Sequence, residues 1–421
     1  MLRKTGCLWL LMIVLISSQQ AMAQGLIISA AGPVNRSMGG ASTAAPLDAI
    51  GAIYWNPATI NQFQNNELAM GFDALITNHE IRSSAGQFAG VTESDIGTFP
   101  IPNFGWVHKT NNPYVTFGLG VNSIAGFKTN LTADPSNPVL APPPLGLGMV
   151  SSEASFIQLA PVLALQLTDS LSVAVGPTVT TGQLAVQPFV FDDPNADGTY
   201  ASGRASRYHW GAGMQIGAFF HATEFLHFGL SLKSPTWMET FEFFGTDANR
   251  GPRQLTADVD LPMILSVGTA FTGFERWVFA LDLRYLDYDN TDGLGDPAEF
   301  SNTGRLMGLG WRSVLATAAG AQFQWSERIS LRSGYSFNQN PISHNQSFFN
   351  VATPLIYQHT LSGGASYALS EATSCHLAGS TMLENTRSGP LFAPGSGAIP
   401  GTNVDNSLSA YVVSFGVTLR H

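Results

Sequence analysis

From Glu67 to the end of the chain, apolar side chains recur at every second position, in run after run, with clusters of Gly, Pro, Asn and Asp between the runs. A period of two belongs to a strand with two unlike faces, whereas a helix repeats every 3.6 residues. Near the C-terminus Tyr411, Val413, Phe415, Val417 and Leu419 share one face, and Ser414, Gly416, Thr418 and Arg420 share the other. Trp277, Phe279, Leu281, Leu283 and Tyr285 likewise stand against Ala280, Asp282 and Arg284. Val115, Phe117, Leu119 and Val121 stand against Thr116, Gly118, Gly120 and Asn122. About 14 such runs can be placed: 67–77, 103–109, 113–124, 155–168, 171–187, 207–222, 225–243, 255–272, 276–288, 313–325, 328–338, 357–369, 374–384 and 408–420. An even number suits a closed bacterial barrel, whose first and last strands pair antiparallel, and most runs are long enough for a tilted crossing of a membrane.

Alternation alone also fits a large soluble sandwich. Charge separates the two. Only 11% of the 421 residues are charged, less than half the roughly 25% of soluble domains. Acidic residues exceed basic ones by 29 to 19, which argues against a nucleic-acid partner. After residue 24 no apolar stretch is long enough for a spanning helix. The first residues read as a secretory leader over 1–23: Arg3 and Lys4, an apolar core from Gly6 to Ile16, then Ala21-Met22-Ala23 before Gln24. Removing Arg3 and Lys4 takes the net charge from -10 to -12. Cys7 leaves with the leader, so Cys375 has no partner for an internal disulfide. An exported, charge-poor, alternating chain of this length predicts an all-β transmembrane antiparallel barrel of about 14 strands in a bacterial outer membrane. Aromatics near the run ends (Trp106, Trp210, Trp237, Trp277, Tyr285, Tyr288, Trp325 and Tyr335) fit the interfacial girdles of such a barrel.

Two regions break the rhythm. Residues 24–66 precede the first strand, are rich in Ala and Gly, and contain Asn56-Pro57-Ala58. Residues 128–152 carry Pro135, Pro138, Pro142, Pro143 and Pro144 among apolar residues. Proline blocks ladder pairing, so this is a loop. It is read either as an apolar surface groove or as a lid folded over the barrel mouth.

The chain resembles the FadL/TodX-like outer-membrane transporters of long-chain fatty acids and aromatic hydrocarbons. The resemblance is carried by Gly39-Gly40-Ala41 through Tyr54-Trp55-Asn56-Pro57-Ala58, by Leu159-Ala160-Pro161 and by Ser234-Pro235. It continues through Asp260-Leu261-Pro262, Arg332-Ser333-Gly334-Tyr335 and Asn340-Pro341 to Thr353-Pro354 with His359. It implies residues 24–66 as a hatch inside a barrel of residues 67–421, with Asn56, Pro57 and Ala58 as a hatch element. It implies passive uptake of a hydrophobic small molecule through an internal apolar pocket, hatch rearrangement and lateral exit through a gap beside a kinked early strand. It further implies a monomer, no cofactor, and contact with outer-membrane lipid, lipopolysaccharide and the barrel-assembly machinery. The chain ends in His421 rather than the usual Phe, in phase with Phe415 and Leu419.

Within that frame Leu26 and Ile27 are expected to touch the ligand. The lumen-facing Lys233, Asp282, Arg284, Arg332 and Arg420 have two readings. Arg284 and Arg332 would hold a carboxylate head group bidentately, or the set would tie wall to hatch. Gly118 and Gly120, mid-strand, are candidates for the lateral kink. Asn56-Pro57 reads alternatively as an ordinary turn. Asp193-x-Asn195-x-Asp197-Gly198 starts like a calcium loop, but its twelfth position is Arg204 rather than Glu, so no metal is expected. The chain has no H-E-x-x-H, G-x-S-x-G, Walker A or G-x-G-x-x-G pattern, and no enzyme is expected. A general diffusion porin for polar solutes is the alternative, against which the long segment before the first strand speaks.

Overall fold

The computed structural model describes residues 24–203, 206–247 and 251–421; the leader expected over 1–23 and Arg204 of the calcium-like loop lie outside them. The chain begins with α1 (Gly32–Ser37), α2 (Ala49–Trp55) and a 3-10 turn (Pro57–Gln62). The strands follow: β1 (Glu67–Ala85), β2 (Phe88–Glu93), β3 (Thr98–Lys109), β4 (Val115–Leu131), β5 (Val150–Thr168), β6 (Leu171–Gln187) and β7 (His209–His221). Next come β8 (Leu226–Lys233), β9 (Trp237–Met238), β10 (Phe241–Thr246), β11 (Pro252–Ala257), β12 (Ile264–Phe271) and β13 (Trp277–Leu286). The last are β14 (Val314–Gln324), β15 (Ile329–Asn338), β16 (His359–Ala368), β17 (Thr373–Gly389), β18 (Phe392–Ala393), β19 (Gly397–Ala398) and β20 (Thr402–Arg420).

Among the described residues, fourteen strands close into one antiparallel ring: β1, β3 to β8, β12 to β17, and β20. Closure is made by β20, which pairs with β1 from Glu67↔Arg420 to Ala85↔Thr402, while β1 pairs on its other side with β3. The alternating faces sort as the period demands. Phe415 is 55% exposed on the outer face, and its neighbour Ser414 is fully buried on the inner one. A continuous apolar outer surface would drive aggregation in water; facing lipid, it matches its solvent. The turns at one end, such as 169–170 and 325–328, are short, while every connection at the other end is longer. Short turns face the periplasm and long loops the outside in bacterial barrels. Trp277, Phe279, Phe323 and Trp325 cluster near the short turns, and Tyr208, Trp210 and Trp237 lie exposed toward the long loops.

Three sequence expectations change. The runs 225–243 and 255–272 each merge a barrel strand with part of the β10–β11 hairpin, which alternates too because Phe241, Phe243 and Leu255 are buried. Tyr288 is no girdle residue. It is fully buried, and its hydroxyl donates to the Gln24 carbonyl (2.8 Å) and accepts from the Ile27 amide (3.3 Å). The proline-rich connection shortens to 132–149 and folds inward: Val139 and Leu140 are buried with Ile81, Leu131, Val351 and Leu391. The Asn137 side chain fastens it by donating to the Ile81 carbonyl and the Thr92 hydroxyl (both 3.1 Å).

Residues 24–62 lie against inward-facing side chains around the ring. The α1 helix packs on β15, β16, β17, β20 and β1, α2 on β1, β3 and β4, and the 3-10 turn on β4 to β7. Both helices are too short to persist alone, so the wall holds them. It does so with buried carboxylates. Arg36 pairs with Asp73 of β1 at 2.7 Å. Asp282 Oδ2 of β13 accepts from the Ser42 amide (2.9 Å), the Thr43 amide (3.0 Å), the Thr43 hydroxyl (2.8 Å) and Arg284 (2.7 Å). Glu67 accepts from the Ala49 amide (2.8 Å) and from Arg420 (2.9 Å). Approach is close enough that a Cβ on Gly229 of β8 would lie 1.9 Å from the Thr43 carbonyl oxygen.

Candidate functional site

The seam between β3 and β4 is only half sewn. Strands β3 and β4 pair from Lys109↔Thr116 up to Asn103↔Asn122 and no further. Yet β3 stays paired with β1 up to Thr98↔Ile76, and β4 stays paired with β5 up to Leu131↔Val150. Residues 98–102 and 123–131 therefore face each other across a gap. Two local causes account for it. First, β4 carries a bulge between Ser123 and Ala125. The extra residue, Ile124, bends the strand away, as bulges do. Second, Pro100 and Pro102 have no N–H. The Thr110 amide donates to the Val115 carbonyl (3.4 Å), and the Ser123 hydroxyl to the Pro102 carbonyl (3.4 Å). The even-numbered residues of β3 thus point their backbone groups at β4, so both prolines remove donors from the edge that would have to pair. Above the gap the wall closes again: the Asp95 amide donates to the Asn130 carbonyl, and Asn130 Nδ2 to the Asp95 carbonyl (both 3.1 Å). The result is a window. Outward-facing Ser155 pairs with Gly126, and outward-facing Ile157 with Ser123, so the opening sits at the upper edge of the apolar outer band.

Behind the window lies a cavity of about 60 Å³, lined by Phe99, Ile101, Gly126 and Phe127 from the wall and by Leu26 and Ile28 from the leading segment. It adjoins an inner cavity of about 250 Å³ with Leu26, Phe127, Phe156, Leu184, Leu294 and Leu309 in its lining. A third cavity of about 70 Å³, under the long loops, includes Phe300, Phe348 and Phe349. The charged groups on the inner cavity are Glu153, Asp258, Asp296 and Arg305; Glu153 pairs with Lys128 at 3.1 Å.

The start of the described chain lies across the back of the window. Ile27 forms a single antiparallel bridge with Ala125. The Ile124 carbonyl, freed from the ladder by the bulge, accepts from the Ile28 amide (2.9 Å), and the Tyr54 hydroxyl donates to the Ile28 carbonyl (2.7 Å).

The residues singled out from sequence fall into separate places. Asn56 is buried and joins the inner segment to β7: Nδ2 donates to the Thr43 carbonyl (2.7 Å) and the Ala218 carbonyl (2.9 Å), while Oδ1 accepts from the Ala58 amide (3.1 Å). Pro57 and Ala58 open the 3-10 turn on that cap. Leu26 lines two cavities, and Ile27 lies beside a small space of about 20 Å³ that Lys233 also lines. The Lys233 ammonium sits 4.3 Å from the Tyr54 ring centre. Arg284 and Arg332 line none of the described cavities. Arg284 lies on the Trp55 ring (3.4 Å) and donates to Asp282 and to the Gly40 carbonyl (2.6 Å). Arg332 donates to Gln322 and Ser366 (both 2.6 Å). Bonded to protein in this way, the two do not come together around a head group. Nor does the ladder break at Gly118 and Gly120, which pair regularly on both sides. Their missing side chains make room for Ile53 and Ile60 of the inner segment, and the break comes at Ile124. In the calcium-like loop, Asp197 accepts from Thr199 and Asp193 from Thr303. Among the described residues no group of three His, Cys, Asp or Glu is placed to hold a metal ion. Sequence reading missed Ile124, the Pro100–Pro102 pair and Phe127; only the prolines left a visible mark, as breakers inside an alternating run.

One electrostatic feature belongs to the inner segment. Asp48 caps α2 by accepting from the Gly51 amide (3.0 Å). Burial and the neighbouring Glu67 carboxylate push its carboxyl up from 3.8 to about 7. A folded-state pKa above the unfolded one means that the fold favours the protonated acid. That stabilisation is fully present below about 3.8 and is lost as pH rises through about 7. Asp48→Asn keeps an acceptor oxygen for the cap and removes the ionisation. The midpoint of urea-induced release of the inner segment, followed by protease cleavage within 24–66, is expected to fall between pH 5 and pH 8 in the wild type and to stay level in the variant. A parallel fall in both refutes the assignment to Asp48.

A family model described as outer membrane protein transport protein (OMPP1/FadL/TodX) matches residues 14–421. No curated protein matches the chain. Among solved structures, the chain is similar to the Pseudomonas putida toluene transporter TodX, with 16% identity, a TM-score of 0.69, and 93% of this chain and 99% of that one covered. It is similar to a Pseudomonas aeruginosa FadL homologue at 14% identity and a TM-score of 0.72, over 94% and 99% of the two chains. It is also similar to the Ralstonia pickettii toluene transporter TbuX at 17% identity and a TM-score of 0.66, over 93% and 99%.

Proposed function

This chain belongs to the outer membrane protein transport protein (OMPP1/FadL/TodX) family, and on that premise we propose that it carries uncharged hydrophobic small molecules across the outer membrane and releases them sideways into the lipid. The observation that carries the reading is the window: a gap in the wall at the upper edge of the apolar band, with a cavity directly behind it. A polar-solute channel has no use for an opening toward lipid. The inner segment also fills the lumen that such a channel would need, which weighs against the porin alternative.

In this reading a hydrophobe is taken up among Phe300, Phe348 and Phe349 under the loops and moves into the inner cavity. Burial there gains about 0.8 kcal/mol per CH₂, which favours a hydrocarbon over water in the inner cavity. Residues 24–31 then shift off the window, and the molecule leaves between β3 and β4. This shift breaks one β-bridge and a few hydrogen bonds, whereas moving the rest of the inner segment would break the buried Arg36–Asp73 ion pair and the Ser42 and Thr43 hydrogen bonds to Asp282. We therefore assign the hatch movement to residues 24–31 alone. Two of the three solved relatives above, TodX and TbuX, are toluene transporters. The charges favour the same class over fatty acid anions. Three carboxylates and one guanidinium edge the inner cavity, the two cations on the window cavity, Arg36 and Lys128, are paired with Asp73 and Glu153, and Arg284 and Arg332 are already engaged.

The test is uptake by an outer-membrane-intact strain lacking the gene, supplied with the wild-type chain or with a chain deleted for residues 24–30. Wild-type cells are expected to take up radiolabelled toluene faster than vector-only cells and to show no such advantage with oleate. The deletion removes Leu26 from both cavities and is expected to lower toluene uptake by about fivefold or more, since a tenfold loss corresponds to only about 1.4 kcal/mol. Wild-type cells no faster than vector-only cells refute the function. A faster rate with oleate than with toluene refutes the substrate class, and unchanged uptake by the deletion refutes the role of residues 24–31.

A further inference from the structure

We infer that Phe127 is the wall-side half of the gate through which the transported molecule passes from the inner cavity to the window, and that its bulk sets the size of molecule that passes. This rests on the proposed transport function and adds to it a residue that selects substrate. Among the described residues, Phe127 is the one side chain that lines all three cavities. The cavity under the loops and the inner cavity share a broad junction that also includes Val186, Phe191, Leu306 and Leu309. The inner cavity and the window cavity share only Leu26 and Phe127. The passage between them therefore runs between one side chain of the movable leading segment and one of the rigid wall.

The position of Phe127 follows from the bulge. Before it, even-numbered residues of β4 face inward: Thr116 and Asn122 are buried on the lumen side. An unbroken alternation would turn Phe127 out to lipid. Ile124 shifts the phase by one, so Phe127 pairs with inward-facing Ala154 and points into the lumen. The same inserted residue thus parts the wall and turns a phenyl ring across the opening it makes. The ring has space to swing, because it is only half-buried and borders all three cavities. Swinging about χ1 is a nanosecond-scale motion for a side chain with room and needs no backbone change, unlike the withdrawal of Leu26.

The experiment compares Phe127→Ala, Phe127→Leu and Phe127→Trp in the same uptake strain, with radiolabelled toluene and the larger naphthalene as probes. Assembly of each is checked by heat-modifiable migration on gels, and toluene binding is measured on the purified detergent-solubilised protein. Removing the ring is expected to raise naphthalene uptake by at least about threefold while changing toluene uptake less. The indole is expected to lower naphthalene uptake by about tenfold, a change that needs only about 1.4 kcal/mol at the barrier. Toluene binding should stay within about twofold throughout, because the inner cavity keeps its other lining residues. A residue that merely packed the core would move binding and assembly together and leave the naphthalene-to-toluene ratio alone. Phe127→Leu, close in volume to the native residue, keeps the test available if the alanine variant fails to assemble. Wild-type cells that take up toluene, with every assembled variant keeping the wild-type naphthalene-to-toluene ratio, overturn the gate and leave the transport function standing. Wild-type cells no better than vector-only cells overturn both.

Discussion

A chain lacking Ile124 alone should assemble a complete barrel and transport nothing. The bulge adds one residue to β4 between two stretches that each pair regularly with β5. Deleting that residue brings Ser123 and Ala125 together opposite Ile157 and Phe156, and every later side chain keeps its present face. The straightened strand would then run beside β3, with Ser123 opposite Pro102 and Ala125 opposite Ile101. The two prolines still withhold donors, but the wall would be closed by side-chain packing. The Ile124 carbonyl that accepts from Ile28 and Tyr54 would be gone as well. Toluene uptake is expected to fall to the vector-only rate, while heat-modifiable migration and surface labelling stay as in the wild type. An Ile124 deletion that transports at the native rate would mean that molecules do not leave between β3 and β4.

The second large effect lies on the opposite side of the ring. Asp282→Ala leaves the amides of Ser42 and Thr43 and the Thr43 hydroxyl without their acceptor, and it leaves Arg284 buried with no counter-charge. Breaking a buried pair in this way typically destabilises by about 3–5 kcal/mol, and here the loss falls on the docking of the inner segment rather than on the barrel ladder. The wild-type protein in a planar bilayer is expected to conduct ions poorly, because residues 24–62 fill its lumen. The variant is expected to show frequent large openings and rapid protease cleavage within 24–66. Asp282→Asn, which keeps an acceptor oxygen, should fall between the two. Conductance and cleavage indistinguishable from wild type in the alanine variant would show that the Asp282 cluster does not hold the segment.

Much of the wall was legible in the sequence because lipid on one side and buried polar groups on the other impose a period of two along most of each strand. Each of the fourteen barrel strands overlaps one of the expected runs. The errors have physical causes. The run that became β3 was expected to start at Asn103; the strand in fact begins at Thr98 and takes in Pro100 and Pro102. The prolines are tolerated there because the edge they face is unpaired. The β10–β11 hairpin alternates as well as any barrel strand, so periodicity did not separate loop from wall. The site was far less legible. Alternation places Asp282, Arg284 and Arg332 inside the ring but says nothing of what they face. Two buried acids of β1, Glu67 and Asp73, went unremarked although a charged residue on an inward face is a clear sign of a partner. Ile124 left no trace at all, since one extra apolar residue within Asn-Ser-Ile-Ala-Gly looks like any other. The gate, the window and the phase of Phe127 all depend on it.

The carboxylates that hold the inner segment also dictate an order of events during biogenesis. Arg36 and Thr43 leave the ribosome early, but their acceptors arrive across the whole polypeptide: Asp73 soon after, Asp282 about two hundred and forty positions later, and the Arg420 that steadies Glu67 next to last. Contacts so distant in sequence form slowly, because a long loop must close before any of them is made. The inner segment, synthesised before every strand of the wall, is consequently the last to settle. For that whole interval a stretch rich in Ala and Gly has to remain soluble and unpaired in the periplasm, and the lack of an alternating run before Glu67 keeps it from being stitched into the growing sheet as a spurious fifteenth member.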